Sequence, residues 1–342
     1  MPFDHPPQPP TGPATLAAVA ARAGVSLATA SKALNGRDRV SEQTRRRVIA
    51  AAEDLAYPVS GPIRQLGKSG TVGLVTSDLE GRFSLPILMG AEDRFGTGQV
   101  SVFLCDARGD AIRERHYVSA LLGRKVDAIM VVGSRTDPRP PIGRDLPVPV
   151  IYVYTPSSDP RDFSLTPDNV MAGRLATQHL IETGRRRIAH ITGPVEQQAS
   201  IDRALGISEA LEAHGLTLAY ETPQGEWTER WGRTATAMLI EQGRAFDALL
   251  CDSDQIARGA IDALRERGIA IPTDVAVMGF DDWDVIVDGT HPPLSSVSFN
   301  LTELGRLAAE WLFAAMDGRA LPEGVDYRPS SLAIRGSTTR AI

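Results

Sequence analysis

Residues 15–35 read TLAAVAARAGVSLATASKALN, and this stretch decides how the N-terminal part of the chain folds. Leu16, Val19, Ala20 and Ala23 recur at helical spacing, which predicts a short, Ala-rich first helix with one apolar face. Gly24 ends it, because a helix commonly stops at a residue that accepts the left-handed conformation. Val25 then plugs the turn, and Ser26 is placed to cap a second helix by accepting backbone N–H bonds. In that helix Ala30, Ala33 and Leu34 turn inward, while Leu27, Ala28, Ser31 and Lys32 face out. Two short helices around a tight turn, the second with an exposed polar and cationic face, have the geometry that inserts a helix into the DNA major groove.

The spacing A-x-x-A-G-V-S-x-x-T-x-S-x-x-L-N over 20–35 is specific. It resembles the DNA-binding headpiece of the LacI/GalR family of bacterial repressors. The resemblance implies base reading by Leu27, Ala28 and Lys32. It implies phosphate or backbone contacts from Ser26, Thr29, Ser31 and Asn35, and Thr15 at the start of the first helix joins the DNA-binding set. Downstream, Ser41 to Ala52 reads as a capped third helix with Val48, Ala52 and Leu55 inward, closed by Tyr57-Pro58. The disposition of charge agrees. The chain of 342 residues carries −6 overall, yet residues 1–69 hold nine cations against five acids, leaving −10 on the rest. A basic module on an acidic body confines phosphate attraction to one end.

Residues 60–70, SGPIRQLGKSG, have a superficial likeness to a phosphate-binding loop. Gly61 and Gly67 are one residue too far apart for it, and the segment precedes a strand where such a loop comes after one. It reads instead as a linker with Pro62 in a first helical turn. In the resembling family this segment orders on DNA and wedges a leucine into the minor groove, a role that falls here to Leu66, with Arg64 before it. Residues 1–14 are Pro-rich and read as a disordered tail, without the order of charges and apolar residues of a secretion signal.

From Thr71 onward, short apolar runs at 71–76, 99–104, 127–132, 149–154, 187–192, 247–251 and 275–280 alternate with amphipathic stretches. This pattern predicts parallel, doubly wound α/β sheets. The strand count and a break at 155–168 predict two lobes. The resemblance, which covers roughly residues 15–336, implies the periplasmic-binding-protein-like fold with three crossings. Its lobes would be 71–166 with 298–324, and 167–297 with 325–336. The expected organisation is therefore a tail (1–14), an all-α helix-turn-helix headpiece (15–59), a hinge (60–70) and an effector-binding and dimerisation domain (71–342).

In open α/β sheets ligands bind beyond the carboxyl ends of the strands. The residues just past each strand end, matched to the family's effector contacts, give Arg82, Phe83, Asp168, Arg203, Trp227, Asp254, Asp281 and Phe299. Carboxylates and guanidinium groups that bond vicinal hydroxyls, with aromatic faces against C–H surfaces, suit a sugar. Arg82 stands where relatives often carry an aromatic and points toward an acidic or phosphorylated sugar. Gln197 and Ala199 stand where nucleobase-responsive members read a purine, which disfavours that class. A nucleobase or other non-sugar metabolite, and an activating instead of a repressing role, are the alternatives.

The six histidines have no metal-ligand spacing, and neither a nucleophile elbow nor a dinucleotide-binding turn comes after a strand, so neither an enzyme nor a resident metal or cofactor is expected. Cys105 and Cys251 sit in apolar runs and read as reduced core residues. The expected protein is a cytoplasmic, homodimeric transcriptional repressor. Its partners are a palindromic operator in double-stranded DNA and a small effector, and no membrane.

Overall fold

In a computed structural model, residues 15–34, 40–55, 70–77, 82–96, 100–222 and 225–339 are described. They fall into two compact units, divided between Lys68 and Ser69.

The first unit has three helices, α1 (Leu16–Ala23), α2 (Leu27–Leu34) and α3 (Glu42–Asp54). Thr15 caps α1, its hydroxyl accepting the Ala18 N–H at 3.3 Å. Gly24 ends it at φ 64°, where only a residue without a Cβ is unstrained. The Ser-x-x-Thr pattern is used twice. Ser26 Oγ accepts the Thr29 N–H at 3.1 Å, and Ser41 Oγ accepts the Thr44 N–H at 3.3 Å. The core is built from small side chains: Val19, Ala20, Ala23, Ala30, Ala33, Val48, Ala51 and Ala52, with Leu16, Val25 and Leu55 partly buried around them. Arg47 adds a tie that is not apparent in the sequence, donating to the Ala23 carbonyl at 2.6 Å and so occupying the open C-terminus of α1. The Leu34 side chain, residues 1–14 and the hinge except Gly70 lie outside the described residues.

The second unit begins with β1 (Thr71–Thr76), α4 (Ser84–Phe95), β2 (Ser101–Asp106), α5 (Ala111–Gly123), β3 (Ala128–Val132), β4 (Val150–Val153) and β5 (Phe163–Pro167). It continues through α6 (Asn169–Glu182), β6 (Ile188–Ile191), α7 (Gln198–Ala213), β7 (Tyr220–Glu221), α8 (Glu229–Glu241), β8 (Ala248–Cys251) and α9 (Asp254–Glu266). It closes with β9 (Ala276–Asp281), α10 (Asp284–Val287), β10 (Ser295–Ser298), α11 (Leu301–Met316), β11 (Gly324–Arg328) and β12 (Ser331–Ala333).

Two six-stranded sheets result, ordered β11-β5-β4-β3-β1-β2 and β12-β10-β9-β8-β6-β7. All pairings are parallel except β10 with β12. The chain passes between the sheets after β5, after β10 and between β11 and β12. Two sequence expectations change here. The stretch 155–168 is no mere break, since it contains β5. The third crossing falls at Pro329-Ser330, because β11 pairs with β5 in the first sheet instead of joining the second lobe from residue 325. Cys251 is buried as expected, whereas Cys105 is only half-buried, because β2 is an edge strand with Phe103 and Leu104 exposed on it.

Three helix pairs pack backbone to backbone through reciprocal glycines. A Cβ at Gly90 of α4 would lie 1.8 Å from the Thr302 carbonyl oxygen, and one at Gly305 of α11 would lie 1.9 Å from that of Ile87. Gly173 and Gly206 join α6 to α7 in this way, and Gly232 and Gly259 join α8 to α9. The pairing of α6 with α7 fixes where α7 starts at the cleft, and hence where Arg203 stands.

Candidate functional site

On α2 the side chains divide as an inserted helix requires. Ala30 and Ala33 are buried, while Leu27 is 54% exposed and Ala28 and Lys32 are open to solvent. Ser31 is half-buried. The hydroxyls of Ser26 and Thr29 lie 2.8 Å apart and, like that of Thr15, take part in helix capping. Asn35, Arg64 and Leu66 lie outside the described residues.

The body has a cleft between its sheets, at the carboxyl ends of the strands. One cavity of about 100 Å³ is walled by Arg82, Phe83, Arg203, Trp227 and Asp281, which separate segments of sequence bring together. Arg82 reaches across from the first lobe, pairing with the Asp281 carboxylate at the end of β9 and donating to Gln255 Oε1 at 3.0 Å. Its guanidinium also lies over the rings of Phe83 and Trp283, at 4.9 and 5.7 Å. Phe83 in turn stacks on Tyr154 at 4.4 Å between centroids. A second bridge between the lobes runs the other way in charge, with Asp137 Oδ1 accepting the Gln198 N–H at the start of α7, at 3.0 Å. Beyond the Arg82–Asp281 pair the cleft opens into a larger cavity of about 410 Å³, bordered by Trp283, Asn300 and Arg306.

Arg203 is buried and held from several sides. It donates to Asn169 Oδ1 at 2.9 Å and to the Asp252 carbonyl, and its guanidinium lies 4.8 Å from the Phe280 ring, 5.2 Å from Phe299 and 5.7 Å from Trp227. Burial lowers its pKa from the ordinary arginine value. Trp227 donates to Gln197 Oε1 at 2.9 Å and lies flat against Gly193, where a Cβ would come within 2.5 Å of the ring.

Behind Arg203 is a polar cluster with no exposure. His190 Nε2 stands 2.8 Å from Asp252 Oδ1, and Asp252 Oδ2 accepts from Thr192 Oγ1 and the Gly193 N–H, both at 3.0 Å. Burial works against a charged imidazole, but Asp252 and Glu221 outweigh it and raise the His190 pKa to about 9. Burial likewise opposes ionisation of Asp252, and His190 and Arg203 overcome it, holding the carboxyl below its usual range. The pair thus fixes the ends of β6 and β8, from which Gly193 and the Asp252 carbonyl meet Trp227 and Arg203.

Three expected residues do not line the small cavity. Asp168 caps α6, accepting the Met171 N–H at 2.8 Å. Asp254 is fully buried, with one oxygen on the Trp283 N–H at 2.8 Å and the other on Ser296 Oγ at 2.6 Å, and burial pushes its pKa up to about 7. Phe299 is packed in the core of the second lobe beneath Arg203. In exchange, the wall contains Ser134, Arg135 and Thr136 after β3 and Tyr154 after β4, which sequence reading passed over, beside Gln197 and Ala199. Backbone strain gathers here. Tyr154, Asp281, Asp282 and Asn300 all take positive φ, between 49° and 106°, without being glycine.

A helix-turn-helix unit followed by a two-lobed body with its cleft at the strand ends defines a class of ligand-responsive DNA-binding proteins. Residues 15–59 match the bacterial regulatory proteins of the lacI family, and residues 177–338 match the periplasmic binding protein-like domain. The chain is 33% identical over 311 residues to the HTH-type transcriptional regulator AscG of Escherichia coli K12, covering 89% of this chain and 92% of that one. It is 34% identical over 316 residues to the regulator CelR of Thermobifida fusca, with the same coverage. Among solved structures, a CelR–cellobiose complex superimposes with a TM-score of 0.65 at 30% identity, covering 95% of this chain and 99% of that one. A lac repressor dimer bound to operator and the anti-inducer ONPF gives 0.67 at 27% identity, covering 96% and 99%. The chain belongs to the LacI family of transcriptional regulators. These relatives are named as regulators, not enzymes. Among the described residues no helix is long and apolar enough to cross a membrane, and no cluster of His, Cys, Asp and Glu is suited to a metal ion.

Proposed function

We propose that this protein is a cytoplasmic transcriptional repressor that binds a pseudo-palindromic operator as a homodimer and responds to a small sugar-like effector held between its lobes. The observation that carries the reading is the convergence of Arg203, Trp227, Asp281, Phe83 and Arg82 on one cavity. Guanidinium, carboxylate and aromatic faces in one enclosed space suit a polyhydroxylated ring. The relatives support the same assignment, since one solved structure holds cellobiose and another is bound to its operator. In this reading residues 15–59 contact DNA, 60–70 form the hinge and 71–342 bind the effector and dimerise. Exposed Leu85 and Met89 on α4, with Phe103 and Leu104 on β2, support an interface on the first lobe.

Control arises from linkage. An effector that favours one arrangement of the lobes changes DNA affinity by its differential affinity for the two arrangements, typically about 1–3 kcal/mol. Base reading is assigned to Leu27, Ala28 and Lys32, with apolar contacts from the first two to thymine methyls. The test is selection of the preferred operator followed by binding measurements on Lys32→Ala. A loss of about 1–3 kcal/mol with relaxed preference at one base position supports the assignment. Equal weakening on all sequences excludes base reading by Lys32.

A further inference from the structure

The small cavity has an imbalance of charge that a neutral ring would leave uncompensated. Among the described residues three guanidinium groups line it, those of Arg82, Arg135 and Arg203, against the single carboxylate of Asp281. Arg82 already engages Asp281. Arg203 is turned to neutral oxygens, the Asn169 amide and the Asp252 carbonyl. Arg135 is exposed at the rim and makes no ion pair among the described residues. The neighbouring carboxylate of Asp137 directs Oδ1 to the start of α7. Among the described residues the cavity wall therefore has one carboxylate, and Arg82 already pairs with it.

A second feature lies beside Arg135. Thr136 is 5% exposed and forms part of the cavity wall, and its buried hydroxyl has no hydrogen-bond partner among the described residues. Buried hydroxyls are almost always satisfied, so an unpartnered one in a residue of the cavity wall is a donor still open to a ligand oxygen. Ser134, on the other side of Arg135, adds another hydroxyl to the same loop. A guanidinium flanked by two hydroxyls in sequence is a donor set for a planar or tetrahedral oxyanion, since arginine presents paired N–H groups in fixed geometry.

We infer that the effector is an anionic sugar, a sugar acid or sugar phosphate, whose charged group is held by Arg135 and Arg82 with Thr136, while Arg203, Asp281 and Trp227 take the ring. This rests on the reading of the cleft as a sugar site and narrows it. When the anion binds, it takes the place of Asp281 at Arg82 and leaves the Asp281 carboxylate to accept from ring hydroxyls.

The test uses the full chain in thermal-shift and calorimetric titrations. The ligands are common pentoses, hexoses and disaccharides, each neutral sugar set against its uronate, its aldonate and its phosphate ester. The expected result is that a carboxylate or phosphate member binds at least about tenfold more tightly than its neutral parent. The two anionic arms distinguish the sources of charge. The variant R135Q should bring the two affinities to within about threefold, and R135K, which keeps the charge but not the paired N–H groups, should fall between R135Q and wild type. A neutral sugar that binds as tightly as its acid and its ester overturns the inference while leaving the sugar cleft standing. An anion preference untouched by both R135Q and R82Q also overturns it. Failure of every ligand in all arms removes the sugar reading itself, and this inference with it.

Discussion

The buried His190–Asp252 pair gives the most quantitative expectation. With the His190 pKa at about 9 in the fold and 6.5 as its ordinary value, the folded state binds the proton more tightly than the unfolded chain. Its contribution is fully present below the unfolded value and is lost as pH rises through about 9. At about 1.4 kcal/mol per pKa unit the whole effect is on the order of 3 kcal/mol. The expected contribution is therefore about 3 kcal/mol near pH 6, about 2 near pH 7.5 and close to nothing near pH 9.5. Removing His190 alone would strand a buried carboxylate, so the informative variant is the double replacement His190→Gln with Asp252→Asn. Urea unfolding followed by tryptophan fluorescence measures both proteins at the three pH values, and other titrations cancel in the difference between them. Wild type should lose about 3 kcal/mol relative to the variant across this range. For a body of this size that corresponds to roughly 5 °C in Tm. A difference that stays constant from pH 6 to 9.5 would falsify the charged-pair assignment and mean that His190 is folded as a neutral imidazole.

Three further outcomes are expected. Asp254, whose pKa burial raises to about 7 from 3.8, favours its neutral form, so its contribution is present at acid pH and lost as pH rises through 7. Asp254→Asn should accordingly gain between about 2 and 3 kcal/mol on wild type from pH 5 to pH 8 in the same unfolding assay, and parallel profiles would contradict this. Gly206→Ala places a Cβ 1.9 Å from the Val170 carbonyl oxygen. The helices α6 and α7 must part, at a cost of about 1–3 kcal/mol visible as a lower Tm, and an unchanged Tm would show that the crossing is looser than described. Arg47→Met removes the guanidinium from the C-terminus of α1, which should cost about 1–2 kcal/mol and raise amide exchange in that helix roughly tenfold. Exchange confined to its former rate would mean that Arg47 does not hold α1.

Legibility tracked burial chemistry. β1, β3, β4, β6, β8 and β9 are continuous apolar runs buried on both faces, and such runs announce parallel strands in the sequence. β10 is equally buried but reads SSVS. Its serines are satisfied internally, Ser295 by the Arg335 carbonyl and Ser296 by Asp254, so hydrogen bonds conceal it from a hydropathy pattern. β5, β11 and β12 carry Ser, Asp, Arg and Pro and owe their place to pairing across the crossings.

At the site, the rule of looking beyond strand ends found Arg82, Phe83, Arg203 and Asp281. Applied to β3 and β4 as well, it would have reached Ser134, Arg135, Thr136 and Tyr154. It also gave Asp168 and Asp254, which lie off that wall, because an aspartate at a strand end serves a helix start or a buried N–H as readily as a cavity, and sequence does not separate these uses. The His190–Asp252 pair had no signal at all, since its members are 62 positions apart.

The bridge from Arg82 to Asp281 also bears on the response threshold. Each lobe supplies one partner, so the Asp281 carboxylate is tethered beside the guanidinium as an intramolecular competitor, present at an effective concentration that no dilution lowers. A ligand anion that takes over Arg82 must first displace it, and apparent affinity is reduced by the fraction of molecules in which the bridge is made. Residue 82 is thereby a dial for sensitivity, separate from the residues that choose the ring. Shortening or neutralising it resets the concentration at which the protein responds.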